Sequence, residues 1–259
     1  MSILYIMKKL LTFLLLCIGF QYVNAKCGVE LMRFYPMKTA ISQNAIFVIE
    51  ASGGRTISTI SSFQHRKVYL ESKSGDIVAL QLQEVLYSKE NLAQAIFRPS
   101  HPLQPNTKYF LKYENQTEQK TIDIKNVTKQ VINGKNCIGL QTLLLMFPNH
   151  LQALQHSMSK VTEFGCGPAV FAIFDINSTL NQQTWYKTEL LDVSTNTIST
   201  FYIQSNKNKL SVGHDMCFGA FSFNRKGTMY KVRFTPINSD RKTATTTDWI
   251  SFKNPFFEN

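Results

Sequence analysis

Gly213-His214-Asp215-Met216-Cys217 gathers an imidazole, a carboxylate and a thiol into adjoining positions, the one cluster in the chain whose side-chain types suit nucleophilic or metal chemistry. Such chemistry needs the base within hydrogen-bond reach of its nucleophile. On a strand, successive side chains point to opposite faces, which separates His214 from both Asp215 and Cys217. The expectation is that His214 caps a turn or lines a groove. His150 and His156 share no helix face and make a poor metal pair. No Gly-rich phosphate loop, Gly-x-Ser-x-Gly elbow or His-Glu-x-x-His helix occurs in the sequence. Acids that could pair for glycoside hydrolysis are sparse and scattered. The chain is therefore expected to be no enzyme and to use no cofactor or metal. A weaker binding surface is conceivable on Arg225, Lys226, Lys231 and Arg233 beside His214, with anionic polysaccharide or lipid headgroups as the attracted class. The aromatics that a single-stranded nucleic acid groove would interleave with these cations are missing, so no nucleic acid partner is expected.

Strands must carry these residues. The clearest is Leu103-Gln104-Pro105-Asn106-Thr107-Lys108-Tyr109-Phe110-Leu111-Lys112-Tyr113. Pro105 and Asn106 favour a turn. Tyr109, Leu111 and Tyr113 then alternate with Lys108 and Lys112, the pattern of a strand with one dry face. Val78, Leu80 and Leu82 alternate in the same way, and Ile46-Phe47-Val48-Ile49 reads as a strand covered on both faces. Further on, strands are expected around Val170 to Ile176, Trp185 to Val193, Thr197 to Gln204, Leu210 to Val212, Tyr230 to Phe234 and Trp249 to Phe252.

Leu-x-Pro-x-Thr-x-Tyr resembles the corner before the sixth strand of fibronectin type III and bacterial immunoglobulin-like modules. The resemblance implies that the Tyr109 hydroxyl bonds back to the backbone a few residues upstream. Tyr230 stands at the matching place in a second, diverged copy of the rhythm. The implied fold is all-β: two immunoglobulin-like β-sandwich domains, one over residues 26–129 and one over 163–259, with a partly helical connector at 130–162. The helical expectation rests on Leu140, Leu144, Phe147, Leu151, Leu154, Met158 and Val161, which recur every three or four residues. Pro148 interrupts the run.

Lys8 and Lys9, the apolar stretch Leu10 to Phe20 and the small residues before Lys26 read as a secretory signal over residues 1–25. Its apolar run is short for a membrane span, and no later segment suits one. The remaining 234 residues carry 26 Lys+Arg against 17 Asp+Glu (28 − 2 against 17), a net charge of +9. Four cysteines remain, Cys27, Cys137, Cys166 and Cys217, and an even number in an exported chain points to disulfides. All three pairings stay open. Cys27–Cys137 and Cys166–Cys217 are favoured because each closes within one domain.

The leading functional expectation is a non-catalytic exported protein acting in binding, adhesion or assembly at the cell envelope, in the periplasm, on the surface or released. Its partner is expected to be a protein or an envelope polysaccharide, with exposed strand edges as the mode of contact. A periplasmic chaperone for surface fibres is the alternative. That family anchors a terminal carboxylate with a buried Arg–Lys pair, for which Arg33 and Lys112 are the candidates. An envelope hydrolase using the His214 cluster is the third reading.

Overall fold

The computed structural model describes residues 30–36, 43–114, 138–139, 154–176, 185–237 and 245–258. Almost every described element is an antiparallel strand, as the alternating sequence dictates. The N-terminal unit contains β1 (Leu31–Tyr35), β2 (Phe47–Ser52), β3 (Val68–Ser72), β4 (Ile77–Tyr87), β5 (Leu92–Pro99), β6 (Lys108–Tyr113) and β7 (Ile138–Gly139). The C-terminal unit contains β8 (Leu154–Phe164), β9 (Gly167–Ile176), β10 (Trp185–Asp192), β11 (Thr197–Gln204), β12 (Lys209–His214), β13 (Met229–Ile237) and β14 (Ile250–Lys253). A single 3-10 turn, Pro255–Phe257, follows β14.

The first seven strands form one sheet in the order β1-β2-β5-β4-β3-β6-β7. The second seven form two sheets, β11-β10-β13-β14 and β12-β9-β8. Adding seven to each strand number of the first order gives β8-β9-β12-β11-β10-β13-β14. That is the second arrangement with one pairing lost, the one between β12 and β11. In the N-terminal unit the corresponding pairing exists because β4 is long enough to serve two neighbours. Val78 and Leu80 pair with β3, and Leu82 to Tyr87 pair with β5 across a bulge between Leu82 and Glu84. A bulge bends and twists its strand, which lets a single sheet wrap over its own core.

That core holds Phe47, Ile49, Leu70, Val78, Phe97, Leu103, Tyr109 and Tyr113. It is capped by α1 (Gly54–Ser62), an element the sequence reading did not anticipate. Gly53, at φ 93°, turns the chain out of β2 and into the helix. Ile60 and the adjoining Phe63 then enter the core, Phe63 edge-on to Phe97 and Tyr113 at 5.8 and 5.3 Å. In the C-terminal unit, Val170, Phe174, Leu210 and Val212 of one sheet share a core with Tyr186, Phe201, Tyr230, Phe234 and Phe252 of the other.

The helix expected across 154–162 is a strand. β8 pairs with β9 along its whole length, with an irregularity between His156 and Met158. The extra residue shifts the less exposed positions from Leu154 and His156 to Ser159 and Val161, and Met158, which the helical spacing counted as apolar face, is exposed. From Leu154 onward the chain thus belongs to the β12-β9-β8 sheet. Of the rest of the expected connector, Ile138–Gly139 form β7, and the remainder lies outside the described residues, as do the signal segment, Cys27 and Cys137.

Candidate functional site

The His214 cluster folds as a tight turn and not as a reactive constellation. Asp215 N–H donates to the Phe218 carbonyl at 2.9 Å, and His214 bridges to Gly219 across the turn. The His214 ring is buried, and its Nδ1 lies 2.9 Å from the Asp215 carbonyl oxygen. The Asp215 carboxylate accepts from the Met216 N–H at 2.7 Å and is thereby committed to the backbone. Gly213 (φ +150°) and Gly219 let the strands close up: a Cβ at Gly213 would sit 1.9 Å from the Val170 carbonyl, and one at Gly219 2.3 Å from His214 Cα. Among the described residues no group of His, Cys, Asp and Glu could hold a metal ion.

The expected Cys166–Cys217 bridge is not made. Cys166 is a free, exposed thiol, whereas Cys217 is disulfide-bonded. Cys166 sits in the turn between β8 and β9 and Cys217 in the turn beyond β12; the two turns adjoin, a Cβ at Gly167 lying 4.0 Å from the Met216 carbonyl oxygen, yet Cys166 stays unpaired.

Of the basic candidates, Arg225 and Arg233 are each engaged by an acid and an aromatic ring. Arg233 forks onto Glu189 at 2.7 and 2.9 Å and lies over the Trp249 ring at 4.6 Å; the Glu189 hydrogen bond raises its pKa. Arg225 pairs with Glu163 at 3.6 Å and covers the Phe256 ring at 4.5 Å. Lys231 shares the Arg233 face of β13, while Lys226 stands exposed in the turn before it. Arg33 and Lys112 are apart. Arg33 on β1 faces Glu50 at 3.4 Å, and Lys112 on β6 pairs with Glu71, with four strands between β1 and β6. They form no joint carboxylate anchor.

Both corner tyrosines are where the sequence puts them. The Tyr109 hydroxyl accepts the Gln104 N–H at 3.2 Å, and the Tyr230 hydroxyl accepts the Asn224 N–H at 2.6 Å. Burial raises the Tyr230 pKa against the lowering effect of that backbone bond.

What the sequence reading missed is the seam between the units. The outer face of β2 and β5 (Ile46, Val48, Ile96) packs on Trp185, Tyr202 and Ile237, which lie on the outer face of the β11-β10-β13-β14 sheet. Tyr35 meets Trp185 edge-on at 5.1 Å, and burial pushes its hydroxyl up to about 12, helped by the Glu50 charge and opposed by Arg33. Gln94, fully buried, donates to the Tyr202 carbonyl at 2.8 Å and accepts the Tyr202 N–H at 3.0 Å. Its amide thus imitates a neighbouring strand on the edge of β11. The Glu84 carboxylate takes the Tyr202 hydroxyl at 2.5 Å and the Lys187 ammonium at 3.1 and 3.2 Å. Burial first, then that carboxylate, raises the Tyr202 pKa strongly. Leu92 and Leu86, beside the β4–β5 turn, join the core of the C-terminal unit, and the Glu90 carbonyl accepts the Gly219 N–H at 2.9 Å. A polar Gln inside the apolar run Leu92 to Phe97 is the sequence signal that could have exposed this contact, since a buried amide needs partners.

No family model matches the chain, and no curated protein matches it. Among solved structures it is similar to pullulanase from Anoxybacillus sp. LM18-11 complexed with maltotriose, at 7% identity and a TM-score of 0.24 over 85% of this chain and 25% of that one. It is also similar to a chain of a cytokine receptor complex, at 8% identity and a TM-score of 0.25 over 80% of this chain and 91% of that one. The chain spans about a quarter of the pullulanase it matches. Similarities at this level define no shared fold.

Proposed function

We propose that this chain is an exported, non-catalytic protein of two immunoglobulin-like sandwiches, acting in binding, adhesion or assembly at the cell envelope. The observation that carries the reading is the repeated strand order, each copy pinned by a tyrosine hydroxyl on the upstream backbone. The separation of His214, Asp215 and Cys217 into backbone, turn and disulfide roles favours binding over catalysis. Export is supported by the lysines and apolar run at the start of the chain.

Two measurements test the reading. The intact mass of the protein recovered from the envelope fraction should lack residues 1–25. Immobilised chain should retain one protein or polysaccharide from solubilised envelopes in preference to a matched basic control. Recovery in the cytosol with the leader intact ends the export claim. Retention that disappears with the control's salt dependence ends the binding claim.

A further inference from the structure

We infer that β11 is a self-pairing edge through which a second copy of this chain docks, forming a continuous antiparallel sheet across a two-fold axis. Tyr202 turns both its N–H and its carbonyl away from β10 and toward Gln94. By the two-residue alternation of an unbroken ladder, Ile198 and Thr200 turn theirs outward too. Among the described residues nothing pairs with this side of β11 before Tyr202. Thr197, Ile198 and Ser199 are exposed, Ile198 at 53%.

Natural sheets protect such edges with charge, proline or cover. Each other described edge strand longer than two residues carries a cation: Arg33 on β1, Lys160 on β8, Lys209 on β12 and Lys253 on β14. A symmetric pair centred on such a cation sets it against its own copy, in a chain of net charge +11, although Arg33 and Lys209 also have acidic partners. β11, Thr-Ile-Ser-Thr-Phe-Tyr-Ile-Gln, has no charge, no proline and no glycine. It is the edge from which this basic molecule does not repel itself.

Length points the same way. The open segment is bounded at one end by the turn at 193–196 and at the other by Gln94 on Tyr202. A long foreign strand would run into the N-terminal unit. A second β11 centred on Ser199 sets Ile198 opposite Thr200 of the second copy and ends within both bounds. Each of these pairs exchanges both backbone bonds. The inference rests on the strand ladder alone and stands or falls separately from export and from any envelope partner.

Sedimentation velocity of the full chain over a concentration series tests it. The expected result is a reversible dimer with a Kd on the order of 10 μM. Thr200→Pro removes an outward N–H while leaving the β10 ladder intact, and should weaken the dimer at least about tenfold. Ile198→Lys places a cation near its own copy and should do the same. Ser199→Cys, made together with Cys166→Ser, should cross-link the dimer on oxidation, because directly opposed non-bonded residues lie about 4.5 Å apart. Circular dichroism of each variant checks that the fold is kept. A wild-type chain that stays monomeric throughout overturns the inference. So does a dimer that neither edge variant weakens, or one that Ser199→Cys fails to cross-link.

Discussion

The two units share a strand order and differ in how the middle of the wrap is closed. In the N-terminal unit the chain seals itself, because β4 runs eleven residues and pairs with β3 through Ile77 to Leu80 and with β5 from Leu80 to Tyr87. In the C-terminal unit β11 has eight residues and turns at 205–208 into β12 without pairing with it. The gap is served by the neighbour. Leu86 and Leu92 enter the core, and Gln94 bonds the edge at Tyr202. One topology is thus completed by its own strand, and the other by a hairpin from the unit before it.

The sharpest way to break that comparison is Leu92→Ala. The substitution lies in the N-terminal unit, yet its cavity opens into the core of the C-terminal one. A loss of about 2–5 kcal/mol is expected. Hydrogen exchange should show the loss in β12 and β13 ahead of β3 and β6. Exchange that rises only in the N-terminal unit would show that the two cores are separate.

Gln94→Ala should cost about 1–3 kcal/mol in denaturant unfolding, because it strands the Tyr202 N–H and carbonyl and leaves Glu50 without its amide donor. It also uncovers a further outward position on β11, so a dimer formed there should tighten. The corner tyrosines offer a finer contrast. Removing the hydroxyl by Tyr230→Phe or Tyr109→Phe should cost about 1 kcal/mol each in thermal unfolding. The 2.6 Å bond at Tyr230 should prove the dearer loss than the 3.2 Å bond at Tyr109.

The smallest effect is alkaline. Tyr35 is held protonated in the fold up to about 12, against an ordinary value of 10.0. The unfolded chain therefore sheds this proton first as pH rises. Stability is fully present below pH 10.0 and is lost as pH climbs through that value toward about 12. Tyr202, raised in the same direction, adds to the loss. Tyr35→Phe should flatten the alkaline limb of a denaturant-midpoint profile and leave the neutral region nearly unchanged.

Much of this framework was legible in the chain. Thr197 to Gln204 reads as a strand because β-branched and aromatic residues fill it, and that is where β11 runs. Tyr109 and Tyr230 were legible because a local motif sets a local bond. Features that depend on distant partners were not. β8 was read as helix because Leu154, Met158 and Val161 are spaced like a helix face, although Met158 is exposed on the strand. α1 is rich in Ser and Thr, which suit turns and caps in isolation; here several of these hydroxyls bond back to helix carbonyls, as Ser58 does to Gly54 and Ser61 to Ile57. Arg33 and Lys112 looked like partners only because charge says nothing about which strands adjoin. The Gln94 contact joins residues 108 positions apart. Nor does nearness in the fold decide a cysteine's partner: the turns of Cys166 and Cys217 adjoin, yet Cys166 is free.

The borrowed hairpin has a consequence for anyone cutting or recombining this molecule. A fragment beginning at Leu154 would retain every strand of its own two sheets, yet expose the apolar floor on which Leu86 and Leu92 now rest. Such a piece would come out of expression sticky and prone to protease. A stable C-terminal half is expected to need the hairpin that carries Leu86 and Leu92, so a shuffled array would have to repeat the two in pairs.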